Sequence, residues 1–163
     1  MAENKKVSVS NVVSLPQKSS SRSSEKKWGK AVCDLGFSIV PSLIFRAQAR
    51  LGLNATQLAV LLQLADYWWD QERHPYPSKA TLGERLQLSP RQVQRYIKEL
   101  EEAGFVQRIS RFASHKGRLS NHYDLSGLVA RLKKLEPEFR EAEENKKQVT
   151  KRGGMRVQKQ IDQ

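Results

Sequence analysis

Between residues 88 and 104 the chain reads LSPRQVQRYIKELEEAG, a run whose every part belongs to one helix. Ser89 and Gln92 form an S-x-x-Q capping box, Pro90 takes the first helical position, and Gly104 stands where a helix closes. Val93, Ile97 and Leu100 recur at helical spacing and mark the face that must be buried. With Val93 inward and about 100° per residue, Arg91, Arg95 and Lys98 point away from the core, Gln94 on one flank and Gln92 on the other. The acidic Glu99, Glu101 and Glu102 are confined to the C-terminal end. Such a helix needs a protein core behind it, and its front offers cations and amides to a polyanion.

The flanking sequence supplies that core. Asn54 is an N-cap for a helix in which Leu58, Leu61, Leu62, Ala65, Trp68 and Trp69 recur at three- and four-residue steps. Ala59, Val60 and Leu64 widen the stripe almost all round, so this is the central helix, with its tryptophans expected in packing rather than in base stacking. Upstream, Phe37 and Ile39 alternate with Ser38 as a short strand would, and Pro41 opens a helix through SLIFRAQARL that Gly52 closes. Downstream, QERHPYP stops the central helix and Ser78 caps another with Leu82 and Leu86 inward. After Gly104 the period becomes alternating, with Phe105, Val106 and Ile109, then Leu119, Tyr123 and Leu125, as two strands joined by the basic loop RFASHKGR.

The stretch TLGERLQLSPRQVQRYIKELEEAGFVQRIS, with the basic loop and LSNHYDL after it, resembles the winged helix-turn-helix of bacterial and phage DNA-binding proteins. The resemblance covers residues 78 to 125 and extends more weakly back to about 54. It rests on Gly83 as the small residue of the second helix, Leu88 after the turn, the capping Ser89, and inward Val93 and Ile97. Gln87 departs from it: the turn residue there is usually glycine, a left-handed conformation costs a side-chain-bearing residue about 1 kcal/mol, and a slightly different turn is expected.

The expected fold class is therefore mainly α with a small β-hairpin (α+β), a winged helix-turn-helix with an added C-terminal helix. Four segments are expected: a disordered basic tail at 1–30, the winged domain at 31–125, a C-terminal helix or helix pair at 126–149, and a second disordered basic tail at 150–163. Leu125, Leu128, Leu132, Leu135, Phe139 and Ala142 step by three and four, an a/d stripe able to seal a homodimer. Pro137 opposes that reading, because it predicts a kink or break near Glu136, and two short helices could instead pack on their own domain.

Charge and composition set the functional frame. The net charge of the 163-residue chain is +12, and it gathers at the ends, with seven Lys or Arg against Glu3 and Glu25 in residues 1–30 and six against Asp162 in residues 145–163. Cationic tails suit a polyanion partner through counterion release, or serve solubility alone. The lone Cys33 excludes an internal disulfide and a cysteine-based zinc site, and His74, His115 and His122 lack metal-ligand spacing. No P-loop, nucleophile elbow or dinucleotide turn occurs, so an enzyme, a metal and a cofactor are not expected. No stretch is apolar enough to cross a bilayer and residues 1–30 lack a signal-peptide core, so a cytoplasmic, nucleoid-associated protein is expected.

The partner expected is double-stranded DNA. Arg forks onto guanine and Gln onto adenine in the major groove, which assigns base readout to Arg91, Gln92, Gln94, Arg95 and Lys98. Backbone amides at Ser78, Lys79, Thr81 and Ser89 suit phosphate. Arg108, Arg111, His115, Lys116 and Arg118 in the wing suit the backbone or minor groove. A transcriptional regulator is the leading reading. Two alternatives stand beside it: a DNA-binding protein of phage or plasmid replication initiation, and a winged-helix protein-interaction module without specific DNA readout.

Overall fold

A computed structural model of the chain describes residues 21–111 and 119–153. They fall into two compact units that divide between Phe37 and Ser38. In the first, helix α1 (Ser21–Trp28) and helix α2 (Lys30–Asp34) are separated by Gly29 at φ 86°. The expectation of a structureless tail to residue 30 is thus corrected over residues 21–28. Two lysines in the last turn of α1 complement its carbonyl end, and Gly29 N–H closes on the Glu25 carbonyl at 2.8 Å. Lys30 bridges both Asp34 carboxylate oxygens at 2.9 and 2.7 Å.

The second unit holds the core. Helices α3 (Ser42–Arg46) and α4 (Gln48–Leu51) replace the single helix expected after Pro41. Pro41 is the N-cap rather than the first helical residue, and the axis breaks at Ala47, which is fully buried at φ −93°, ψ 4°. The strand expected around Phe37 and Ile39 is not formed: both are irregular and exposed, and among the described residues no neighbouring strand pairs with them. Helix α5 (Ala55–Asp66) begins with the predicted Asn54 cap, here a full capping box with Gln57. It ends before the tryptophans, so Trp68 only partly packs on the core and Trp69, expected in packing, is 76% exposed.

Helix α6 (Lys79–Leu86), capped by Ser78, and helix α7 (Pro90–Glu102), capped by Ser89 with Gln92, pack on each other and on α5. Gln87 adopts the left-handed conformation itself, φ 57° and ψ 39°, so the expected departure in the turn does not occur. The reason lies at Gly83, where a Cβ would stand 2.4 Å from the Leu88 carbonyl oxygen while Leu88 N–H donates to the Gly83 carbonyl at 2.9 Å. The two helices approach so closely that the turn has one solution, and Gln87 bears its strain.

Gly104, at φ 73°, ends α7 with Phe105 N–H on the Leu100 carbonyl at 2.9 Å, which aims Phe105 and Val106 into the core. Strand β1 (Gln107–Ile109) pairs antiparallel with strand β2 (His122–Asp124), Arg108 opposite Tyr123. Helix α8 (Ser126–Lys151) starts against that junction, with Leu128 N–H on the Phe105 carbonyl at 3.0 Å and no room for a Cβ at Gly127, 2.2 Å from the Gly104 carbonyl oxygen.

Two further corrections concern α8. It runs unbroken through Pro137, and its stripe faces its own domain: Leu125 and Leu128 are buried, and Leu132, Leu135 and Phe139 pack against the same core. The chain itself thereby covers part of the stripe assigned to a homodimer contact, with Leu132, Leu135 and Phe139 half-buried and Ala142 exposed. The N-terminal side of the proline is held by Leu128, Leu132 and Leu135 on the core, and the C-terminal side by Arg50 to Glu138 at 2.7 Å, Arg46 to Glu143 at 3.7 Å and the Arg46 guanidinium 5.6 Å from the Phe139 ring centroid. Anchored on each side, the helix tolerates one missing hydrogen bond.

Two substitutions test this account by chemical denaturation. Gly83→Ala is expected to cost about 1–3 kcal/mol through forced separation of α6 and α7. Gln87→Gly is expected to add about 0.5–1 kcal/mol by relieving the left-handed residue.

Candidate nucleic-acid interface

The front of α7 is exposed at Arg91, Gln92, Gln94, Arg95 and Lys98, while Val93, Ile97 and Leu100 are buried behind it. Together with Ser89 those five residues line one shallow concavity. The α7 arrangement read from periodicity is the one observed, and the structure adds how each side chain is held.

Gln92 serves the cap first. Its Oε1 accepts from Ser89 N–H at 2.9 Å, and Ser89 Oγ accepts from Gln92 N–H at 3.2 Å, so the amide NH2 is left without a hydrogen-bond partner among the described residues. Gln94 accepts from Lys79 Nζ at 2.9 Å, which joins the start of α6 to the middle of α7. Thr81 is half-buried in the α6 cap, its N–H on Ser78 Oγ at 3.0 Å and its hydroxyl 2.8 Å from the same oxygen. Lys98 pairs with Glu102 at 3.3 Å and Arg95 with Glu99 at 3.7 Å, each one turn on. Arg91 has no ion-pair partner among the described residues, which leaves its charge fully available.

A second depression adjoins the first. Ser78, Lys79 and Ala80 at the start of α6, Pro90 of α7, and Leu119, Ser120 and Asn121 at the root of β2 line it. It places the α6 amide end beside the wing. Ser120 and Asn121 were not singled out in the sequence, and uncharged, aperiodic loop residues give no signal there that could have found them.

The wing residues separate. Arg108 turns back onto α7: its Nε donates to Glu101 Oε2 at 2.7 Å and its backbone N–H to Glu101 Oε1 at 3.2 Å, so it braces the hairpin root. Arg111 lies over the Tyr76 ring, 5.3 Å from its centroid, and Tyr76 meets His122 edge-on at 5.5 Å. His122 Nδ1 is 3.0 Å from the His74 carbonyl oxygen, and Tyr123 N–H donates to the Pro75 carbonyl at 2.8 Å. Loop 74–76 thus supports β2 from the side, a contact invisible in a sequence where it joins residues some 48 positions apart. His115, Lys116 and Arg118 lie outside the described residues.

Two carboxylates shape the electrostatics. Hydrogen bonding from Arg108 holds Glu101 below its ordinary value of 4.5. Asp66 is held below 3.8, first by the Ser38 hydroxyl and then by Arg85, which donates to it at 2.8 Å across α5 and α6. A lowered folded value means stability present above the unfolded value and lost as pH falls through the folded one. Among the described residues no cluster of His, Cys, Asp and Glu could hold a metal, and no helix is long and apolar enough to cross a membrane.

Residues 51–106 match the family described as a helix-turn-helix domain. With the hairpin that follows α7, these elements have the arrangement of a winged helix-turn-helix. Among solved structures it is similar to the N-terminal domain of the DnaD protein from Geobacillus kaustophilus HTA426, 21% identical, over 80% of this chain and 97% of that one, with a TM-score of 0.46. It is also similar to a possible transcriptional regulator from Methanosarcina mazei Go1, 17% identical, over 71% of this chain and 96% of that one, with a TM-score of 0.42. No curated protein matches it.

The acid limb of stability gives a check. Glu101→Gln is expected to cost under about 1 kcal/mol near neutral pH, with the difference from the parent vanishing as pH drops below 4.5, in denaturation followed across pH.

Proposed function

We propose that this helix-turn-helix chain binds double-stranded DNA sequence-specifically, as a cytoplasmic transcriptional regulator, with α7 in the major groove and the wing on the backbone or minor groove. The observation that carries the reading is the α7 front: two arginines, two glutamines and a lysine on one exposed face, with a rigid apolar back. That chemistry matches the donor and acceptor pattern of base edges, and the N-terminal half, where Arg91 stands unpaired, is the half that enters a groove first. Glu99, Glu101 and Glu102 then stay at the far end, clear of phosphate.

Around this front the other groups divide by role. The α6 amide end with Ser78 and Lys79 supplies a phosphate contact, since free N–H groups and the helix dipole favour an anion there. Lys79 also orients Gln94, so one side chain serves register and readout. Arg111 and the basic residues 115, 116 and 118 remain the wing contacts, while Arg108 contributes through the hairpin's rigidity. The cationic ends add counterion release without sequence preference.

Selection of bound duplexes from a random pool, followed by competition against random duplex, tests the reading. Arg91→Ala and Arg95→Ala are each expected to lose about 1–3 kcal/mol of discrimination, roughly 5- to 150-fold. An unchanged selectivity ratio in both would instead indicate a protein-interaction module. With about six phosphates neutralised, affinity is expected to fall about a thousandfold between about 50 and 200 mM salt.

A further inference from the structure

Arg95 is held differently from the other cations of the α7 front. Lys98 pairs only along its own helix, whereas the carboxylate partner of Arg95 is itself anchored on α5. Gln57 Nε2 donates to Glu99 Oε2 at 3.0 Å, and the other oxygen of Glu99 lies 3.7 Å from Arg95 Nε. Gln57 is in turn fixed by the capping box of α5: its Oε1 accepts from Asn54 N–H at 3.0 Å, and its own N–H donates to Asn54 Oδ1 at 2.8 Å. The carboxamide therefore has one orientation, with its NH2 toward α7. On the other side, the Arg95 guanidinium stands 5.0 Å from the centroid of the half-buried Tyr96 ring, which packs on the core.

An exposed arginine ordinarily samples many rotamers, and fixing it on binding costs about 2 kcal/mol of side-chain entropy. Here both sides of the guanidinium are bounded, and the carboxylate engages it at Nε, so the two terminal nitrogens keep the free fork that a guanine edge accepts. We propose that Gln57 and Glu99 are positioning residues that pre-set Arg95 for base recognition, an inference that rests on the reading of α7 as the major-groove helix. Sequence selectivity then depends on an α5 residue remote from the front. Glu99 also works against indiscriminate binding, because its charge offsets that of Arg95 wherever no base edge completes the geometry.

Gln57→Glu isolates the relay. It retains an acceptor for the Asn54 N–H and so the cap, but puts a carboxylate where Glu99 needs a donor. With Tm within a degree or two of the parent, the ratio of affinities for selected over random duplex is expected to fall about tenfold, and to fall no further when the change is added to Arg95→Ala. Glu99→Gln, which keeps the Gln57 contact and removes the charge, is expected to raise affinity for random duplex severalfold while lowering the same ratio; it carries the test if Gln57→Glu lowers Tm. Retention of the full ratio in these variants, with Arg95→Ala losing it, would overturn the inference and leave the proposed function standing. If Arg95→Ala also keeps the ratio, the inference falls, and if Arg91→Ala keeps it too the reading of α7 falls as well.

Discussion

The architecture depends on the contact between Gly83 and the Leu88 carbonyl. At 2.4 Å from where a Cβ would sit, no other residue type fits without moving backbone, so α6 and α7 can close to one angle only. From that closure follow the left-handed Gln87, the burial of Leu82 and Val93 in one core, and the outward rotation of the Arg91–Lys98 edge. A turn that accepts strain at a glutamine is one whose geometry is over-determined by its surroundings. Rigid presentation of a charged edge is what direct readout of base pairs requires.

A second close approach has the same logic at the other end of α7. Gly104 turns the chain, Phe105 and Val106 enter the core, and Gly127 lets α8 begin against the Gly104 carbonyl. The hairpin root is thereby clamped between α7, through Glu101 and Arg108, and loop 74–76, through His74 and Pro75. Two glycines, at 83 and 127, do for this domain what bulky packing residues do elsewhere: they set distances between backbones, and side chains then follow.

The charged groups of the front divide between presentation and restraint. Among the described residues Arg91 is unpaired, Lys98 and Arg95 are each offset by a glutamate one turn on, and Gln92 and Gln94 are partly committed to the cap and to Lys79. Surface ion pairs of this kind contribute little to stability. Their consequence is orientation: a side chain that already lies in its bound geometry gives up less entropy on binding. On the proposed reading of α7, a basic helix face becomes a selective one in this way.

Local signals made most of the helices legible. The Asn54, Ser78 and Ser89 caps, the Gly52 and Gly104 ends, the apolar backs of α5 and α7 and the two strands after Gly104 rest on signals within a few residues of one another, and each is observed. Local pattern failed where the deciding contact was distant. The α8 stripe has the period of an assembly seam, yet α3 packs on α8 and Arg50 of α4 reaches Glu138 from 88 residues away, and the helix continues through Pro137. Arg108 has the charge of a DNA contact and the neighbourhood of a brace, and Phe37 and Ile39 alternate like a strand with nothing to pair with. Periodicity and capping determined which faces are apolar and where helices start; only tertiary packing decided which apolar face meets which, and which cations stay free, because a side chain's partner is set by distances through space that spacing along the chain does not encode.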